Sequence, residues 1–123
     1  MTTLTEGRHA GGFLVWETSR DYTRETITLA SGAGQLAPGT VLGRITAGGK
    51  FTQLAPGATN GSQTAAGILW GPADARAADA PGVVVLRGPA IVNRHDLVWP
   101  AGATEAQITA ATAALAALGI LLR

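Results

Sequence analysis

At 123 residues, 46% hydrophobic and only 14% charged, the chain has the size of one domain and little charge with which to cover its surface. Eight Arg and one Lys against eight acidic residues give a formal net charge of +1 and no basic stripe, which argues against a nucleic-acid binder. The absence of cysteine excludes disulfide staples and Cys-ligated zinc, and no apolar run approaches the roughly 20 residues of a membrane helix.

The opening, MTTLTEGRHAGG, has neither the basic nor the apolar region of a signal peptide, so the expected compartment is cytoplasmic. A small chain this poor in charge reads as a subunit of an assembly, with part of its apolar surface meant for partners. Residues 1–12 read as a flexible arm. Phe13-Leu14-Val15-Trp16 is a short apolar run that can form a strand. Tyr22 to Leu29 alternates, with Ile27 and Leu29 on one face and Thr26 and Thr28 on the other.

Turn signals then recur at short intervals. Pro38-Gly39 closes a turn before a strand at Val41 to Thr46, and Gly48-Gly49 leads into Lys50 to Leu54, predicting a hairpin. Leu-Ala-Pro-Gly occurs at 36–39 and again at 54–57, too few copies for a solenoid and best read as two similar turns. Ala65 to Trp70, Val83 to Arg87 and Ala90 to Asn93 complete the predicted strands. Short strands at this spacing indicate a mostly β, α+β fold: a small compact barrel or sandwich-like domain.

The last segment changes character. Thr104 with Gln107 fits a capping box, and Ile108, Ala111, Leu115 and Leu118 fall on one helical stripe, so a helix is expected over about 104–118 with Gly119 at its C′ position. Ile120 to Arg123 is then an apolar tail in need of a groove.

Candidate chemistry is sparse. His95-Asp96 is the one pair resembling catalytic machinery, but neighbours on a strand point to opposite faces. No cysteine is present to serve as nucleophile, and Ser19, Ser31 and Ser62 lie outside any G-x-S-x-G elbow. His9 and His95 lie far apart; Glu17, Asp21 and Glu25 are spaced four apart but in a region that does not read as helical, and Asp74 and Asp79 alone cannot supply a calcium loop. Gly48-Gly49-Lys50 is followed by Phe51, which breaks the P-loop pattern. The reading is therefore of a protein that is not an enzyme and holds no cofactor or metal. Lys50 at a hairpin turn leaves one alternative, a small β-barrel ligand-binding or carrier domain with a modifiable lysine. Of the three tryptophans, Trp70 and Trp99 read as core, while Trp16 reads equally as core or as an aromatic for docking on a partner.

The order of several motifs resembles the head decoration proteins of lambda-like phages. These are Tyr22-Thr23-Arg24-Glu25 with Thr28-Leu29-Ala30-Ser31-Gly32, then Ala37-Pro38-Gly39-Thr40-Val41-Leu42-Gly43 and Gly49-Lys50-Phe51. Asn60-Gly61-Ser62, Ala66-Gly67-Ile68-Leu69 and Asp96-Leu97-Val98-Trp99-Pro100 follow, so the likeness runs from Tyr22 to the C-terminus. It implies a structural protein of the virion, made in the host cytoplasm. Its homotrimers bind the major capsid protein on the outside of the expanded head, at three-fold and quasi-three-fold positions, and hold it against packaged-DNA pressure. It also implies an N-terminal arm that joins a capsid sheet by β-augmentation, with no nucleic-acid or membrane partner.

On that basis residues 1–21 are expected to be the arm and 22–123 the domain, and Leu4, Phe13, Val15 and Trp16 are the expected capsid contacts. Phe13 to Trp16 makes this arm more apolar than the polar, proline-containing arm of the family's best-known member. Asp96, Trp99, Pro100, Thr104 and Gln107 are expected to form the joint between the last strand and the helix, with His95 a bystander.

Overall fold

The computed structural model describes residues 9–123. Leu4 lies outside the described residues. The fold is mostly β with one long C-terminal helix, as composition and turn spacing predict.

In chain order the elements are β1 (Leu14–Glu17), a one-turn helix α1 (Arg20–Thr23), β2 (Arg24–Leu29), β3 (Gly34–Leu36), β4 (Val41–Arg44) and β5 (Phe51–Gln53). Then come β6 (Ala65–Leu69), β7 (Ala73–Ala75), β8 (Ala80–Val85), β9 (Ala90–Val92), α2 (Glu105–Ala117) and β10 (Ile120–Leu122). A 3-10 turn, Arg94–Asp96, follows β9.

Five strands close a ring in the order β2-β5-β4-β6-β8. Its longest ladder runs antiparallel from Arg24↔Val85 to Leu29↔Ala80. The alternation read in the sequence is realised here: Leu29 is buried while Thr26 and Thr28 face solvent. The β4–β5 hairpin pairs Leu42 with Gln53 and Arg44 with Phe51. Closure is irregular, because β2 meets β5 at the single pair Leu29↔Phe51 and the β4–β6 register shifts between Leu42 and Gly43. The result is compact without being a regular barrel.

The chain was expected to run as a strand from Tyr22, yet α1 occupies Arg20–Thr23 and β2 begins at Arg24. The backbone accounts for this, since the Tyr22 and Thr23 N–H groups both donate to the Ser19 carbonyl, at 3.0 and 2.9 Å, and close the turn. The short pair β3–β7, Gly34↔Ala75 to Leu36↔Ala73, has no counterpart in the sequence reading. The two Leu-Ala-Pro-Gly copies are indeed turns, with Thr40 N donating to Ala37 O and Ala58 N to Ala55 O. The leucine that opens each copy is buried.

A second sheet joins the two ends of the described chain, in the order β1-β9-β10. β1 runs antiparallel to β9, and β10 runs parallel to it. The helix that feeds β10 starts at the predicted capping box: Thr104 Oγ1 accepts from Gln107 N at 3.2 Å, and Gln107 Oε1 accepts from Thr104 N at 2.9 Å. It stops at Gly119, whose φ of +87° reverses the chain into β10 at a cost that glycine alone avoids. On the helix, Ala111 and Leu115 are buried and Ile108 partly so, but Leu118 is exposed because it already sits at the C-cap. The apolar tail finds its groove as β10, with Ile120 fully buried beside β9.

Candidate docking surface

β1 carries two adjacent exposed large apolar side chains, Val15 and Trp16, and a local distortion of its ladder explains them. Leu14 pairs with Val92 and Trp16 with Ile91, so the register shifts and Val15 is an extra residue in a bulge. An unbroken strand would turn every second side chain inward. The bulge instead lets Val15 and Trp16 both face out, at 62% and 51% exposure, before Glu17 turns back in.

On either side of that pair the strand is held firmly. Phe13 is 2% exposed and packs in a core with Val92, Leu97, Leu115 and Ile120. Its ring meets Trp70 edge-on, with centroids 6.3 Å apart at 70°. Glu17 forms an ion pair with Arg24 and accepts a 2.5 Å hydrogen bond from the Thr23 hydroxyl. The Arg24 guanidinium lies 3.4 Å from the centre of the Trp70 ring, a cation–π contact that covers the indole. Gly11 closes over the same ring: its N–H donates to the Trp70 carbonyl at 2.8 Å, and a Cβ there would fall 1.9 Å from a ring carbon.

Sequence reasoning missed this Glu17–Arg24–Trp70 assembly, because seven residues and a helical turn separate the two charges. The adjacent apolar residues Val15 and Trp16 were the readable signal, since two neighbours on a strand cannot both enter a core without a bulge.

Of the four expected contact residues, the structure brings Val15 and Trp16 together on the surface. Phe13 is buried and could touch a partner only by leaving the core. Of the expected joint residues, Thr104 and Gln107 form the capping box of α2, and Asp96 ends the 3-10 turn after β9. The 3-10 turn places Asp96 before Leu97, the Gly39 N–H and carbonyl bond Leu69 O and Val98 N, and Trp99 packs half-buried against the core. His95 is exposed; its backbone N–H donates to Asn93 Oδ1 at 3.0 Å. Arg94, His95, Trp99, Glu105 and Leu122 line an open groove of about 550 Å³ beside α2.

Lys50 lies just after the hairpin turn, with its ammonium 2.5 Å from Asp79 Oδ2. That hydrogen bond, with the Ser31 N–H on Oδ1, holds the Asp79 carboxyl below its ordinary pKa. Side-chain and backbone hydrogen bonds from Arg76 do the same for Asp74. Among the described residues, no three His, Asp or Glu side chains lie close enough to hold a metal ion.

The surface therefore has the equipment of an interaction domain: bulged apolar side chains mounted on a rigid, ion-paired strand. The family model of the bacteriophage lambda head decoration protein D matches residues 3–120, and the chain belongs to that family. No curated protein matches it. Membership carries a capsid decoration role, making the chain a structural component of the phage head that associates with the capsid. The motif order read from Tyr22 onward thus extends toward the N-terminus, through the strand that carries Val15 and Trp16.

Proposed function

We propose that the chain decorates the outer surface of the expanded head as a homotrimer at three-fold and quasi-three-fold positions, binding the major capsid protein and holding the shell against packaged DNA. Capsid contact is made by residues 1–10, including Leu4, and by Val15 and Trp16. The observation that carries this reading is the bulge in β1, which exposes two large apolar side chains on a strand otherwise fixed to the core. The segment before Gly11 can augment a capsid sheet through backbone hydrogen bonds, which need no strict side-chain match. Three such segments on one trimer turn weak single contacts into strong avidity.

The function is structural, without a catalytic step or a bound cofactor. The arm in this reading ends near Gly11 rather than at residue 21, because Phe13 belongs to the core. The test is sedimentation of a chain lacking residues 1–9 with expanded heads free of decoration protein. The shortened chain should keep the solution mass of a trimer and lose most of its head binding. Undiminished binding would remove the arm from the account, and a monomeric intact chain would remove the trimer.

A further inference from the structure

Asn60-Gly61 lies in the loop between β5 and β6, away from the docking strand, and carries a chemistry of its own. Glycine has no Cβ to hinder a neighbouring side chain, so the Gly61 nitrogen can attack the Asn60 amide carbon. The new N–C bond closes a succinimide ring, and ammonia leaves with the proton that the Gly61 nitrogen gives up. Water then opens the ring at either carbonyl. The product is aspartate or, with the main chain rerouted through the side chain, isoaspartate. Water is the only co-reactant, and Asn60 is exposed to it.

The fold does not let Gly61 be exchanged for a less reactive neighbour. Its φ is +106°, and a Cβ there would fall 2.4 Å from Thr46 Oγ1 and 2.7 Å from the Arg44 carbonyl oxygen. The groups that ring closure must move are instead held. Asn60 Oδ1 accepts from the Ser62 N–H at 3.1 Å and from the Ser62 hydroxyl at 2.6 Å, and Ser62 is buried. The attacking nitrogen is itself bonded, since the Gly61 N–H donates to Gln63 Oε1 at 2.8 Å. On the main chain, the Asn60 carbonyl accepts from the Thr46 N–H at 2.9 Å, which pins the loop to the chain leaving β4. Closing the ring would turn the Asn60 amide off Ser62 and remove the hydrogen of the Gly61–Gln63 bond, so the loop must open first.

We propose that Asn60-Gly61 is a latent deamidation site, which the Ser62 and Gln63 hydrogen bonds keep closed in the folded protein. Its two products differ in what they do to the loop. Aspartate at position 60 keeps both Ser62 bonds, because a carboxylate accepts them as the amide oxygen does. Isoaspartate adds a carbon to the main chain before the Gly61 nitrogen, where Arg44 and Thr46 leave no room for a methyl group. It therefore loosens the loop from β4.

The test follows conversion at residue 60 by peptide mapping and isoaspartate assay while the whole chain is incubated in mildly alkaline buffer. The folded chain should convert at least about tenfold more slowly than the same chain unfolded in guanidinium chloride. Gln63 is exposed, so Gln63→Ala should keep its melting temperature. It should convert about three- to tenfold faster than the unaltered fold, the effect of one lost hydrogen bond on loop opening. Gln63→Glu retains an acceptor for the Gly61 N–H and should stay slow. Equal conversion of folded and unfolded chains overturns the guard, as does a Gln63→Ala chain that converts no faster than the unaltered one. A Gln63→Glu chain as fast as Gln63→Ala overturns the hydrogen bond as its cause. No conversion at residue 60 even in the unfolded chain overturns the site itself.

Discussion

The two hydrophobic clusters are built from different parts of the chain. One joins Leu29, Leu36, Leu42, Phe51, Leu69, Ala75 and Val84, all from the middle, inside the irregular ring. The other runs from Phe13 to Ile120 and ties both ends of the described chain to α2 and to the back of the ring. The first is assembled within residues 29–84, by the β4–β5 hairpin and by antiparallel ladders such as Leu29↔Ala80. The second needs residues about a hundred positions apart to meet, since β9 is flanked by β1 on one side and by a parallel β10 on the other. That non-local cluster also carries the docking surface: its inner faces supply the core while its outer face is left open. In the proposed reading, stability and capsid binding therefore sit on opposite sides of the same three strands.

Substitutions can separate those two sides. Phe13→Ala should have the largest effect, removing a fully buried ring at a cost of about 3–5 kcal/mol in urea or thermal unfolding. Trp16→Ala, three residues away and exposed, should change stability by less than about 1 kcal/mol while weakening head binding. If the two substitutions destabilise equally, the division between core and docking residues is wrong.

Next in size, Thr104→Ala should cost about 1 kcal/mol by leaving the start of α2 uncapped, again in the non-local cluster. The smallest effect belongs to the ring. Asp79 has a depressed carboxyl pKa in the folded state, so its contact with Lys50 contributes stability above the ordinary carboxyl range, about pH 4, and loses it as pH falls through the folded value. Asp79→Asn should therefore melt slightly below the unaltered chain at neutral pH and match it in strong acid. Molar salt should narrow the gap, as expected of an exposed pair.

The same contrast explains how much of the molecule could be read from sequence. The ring strands were legible where apolar and polar residues alternate, as in Ile27 to Leu29, and where glycines mark a hairpin, as before Lys50. The helix was legible through Thr104, Gln107 and Gly119. β3 and β7 were not, because Gly-Gln-Leu and Ala-Asp-Ala are too short to carry a periodic signal. β10 was visible as an apolar tail, but its partner lies thirty residues upstream, across α2, and pairing over that distance leaves no local pattern. At the site, Val15 and Trp16 could be named because an apolar pair is local. The burial of Phe13 could not be separated from them, since it depends on Trp70, Leu115 and Ile120 arriving from elsewhere.

The most direct test of the central claim is a binding isotherm of the purified chain on expanded, decoration-free heads, with bound copies counted at saturation. The account predicts saturable binding at three copies per three-fold position, with the heads becoming more resistant to rupture as they fill. Heads that gain neither bound protein nor resistance at saturating concentrations would contradict it.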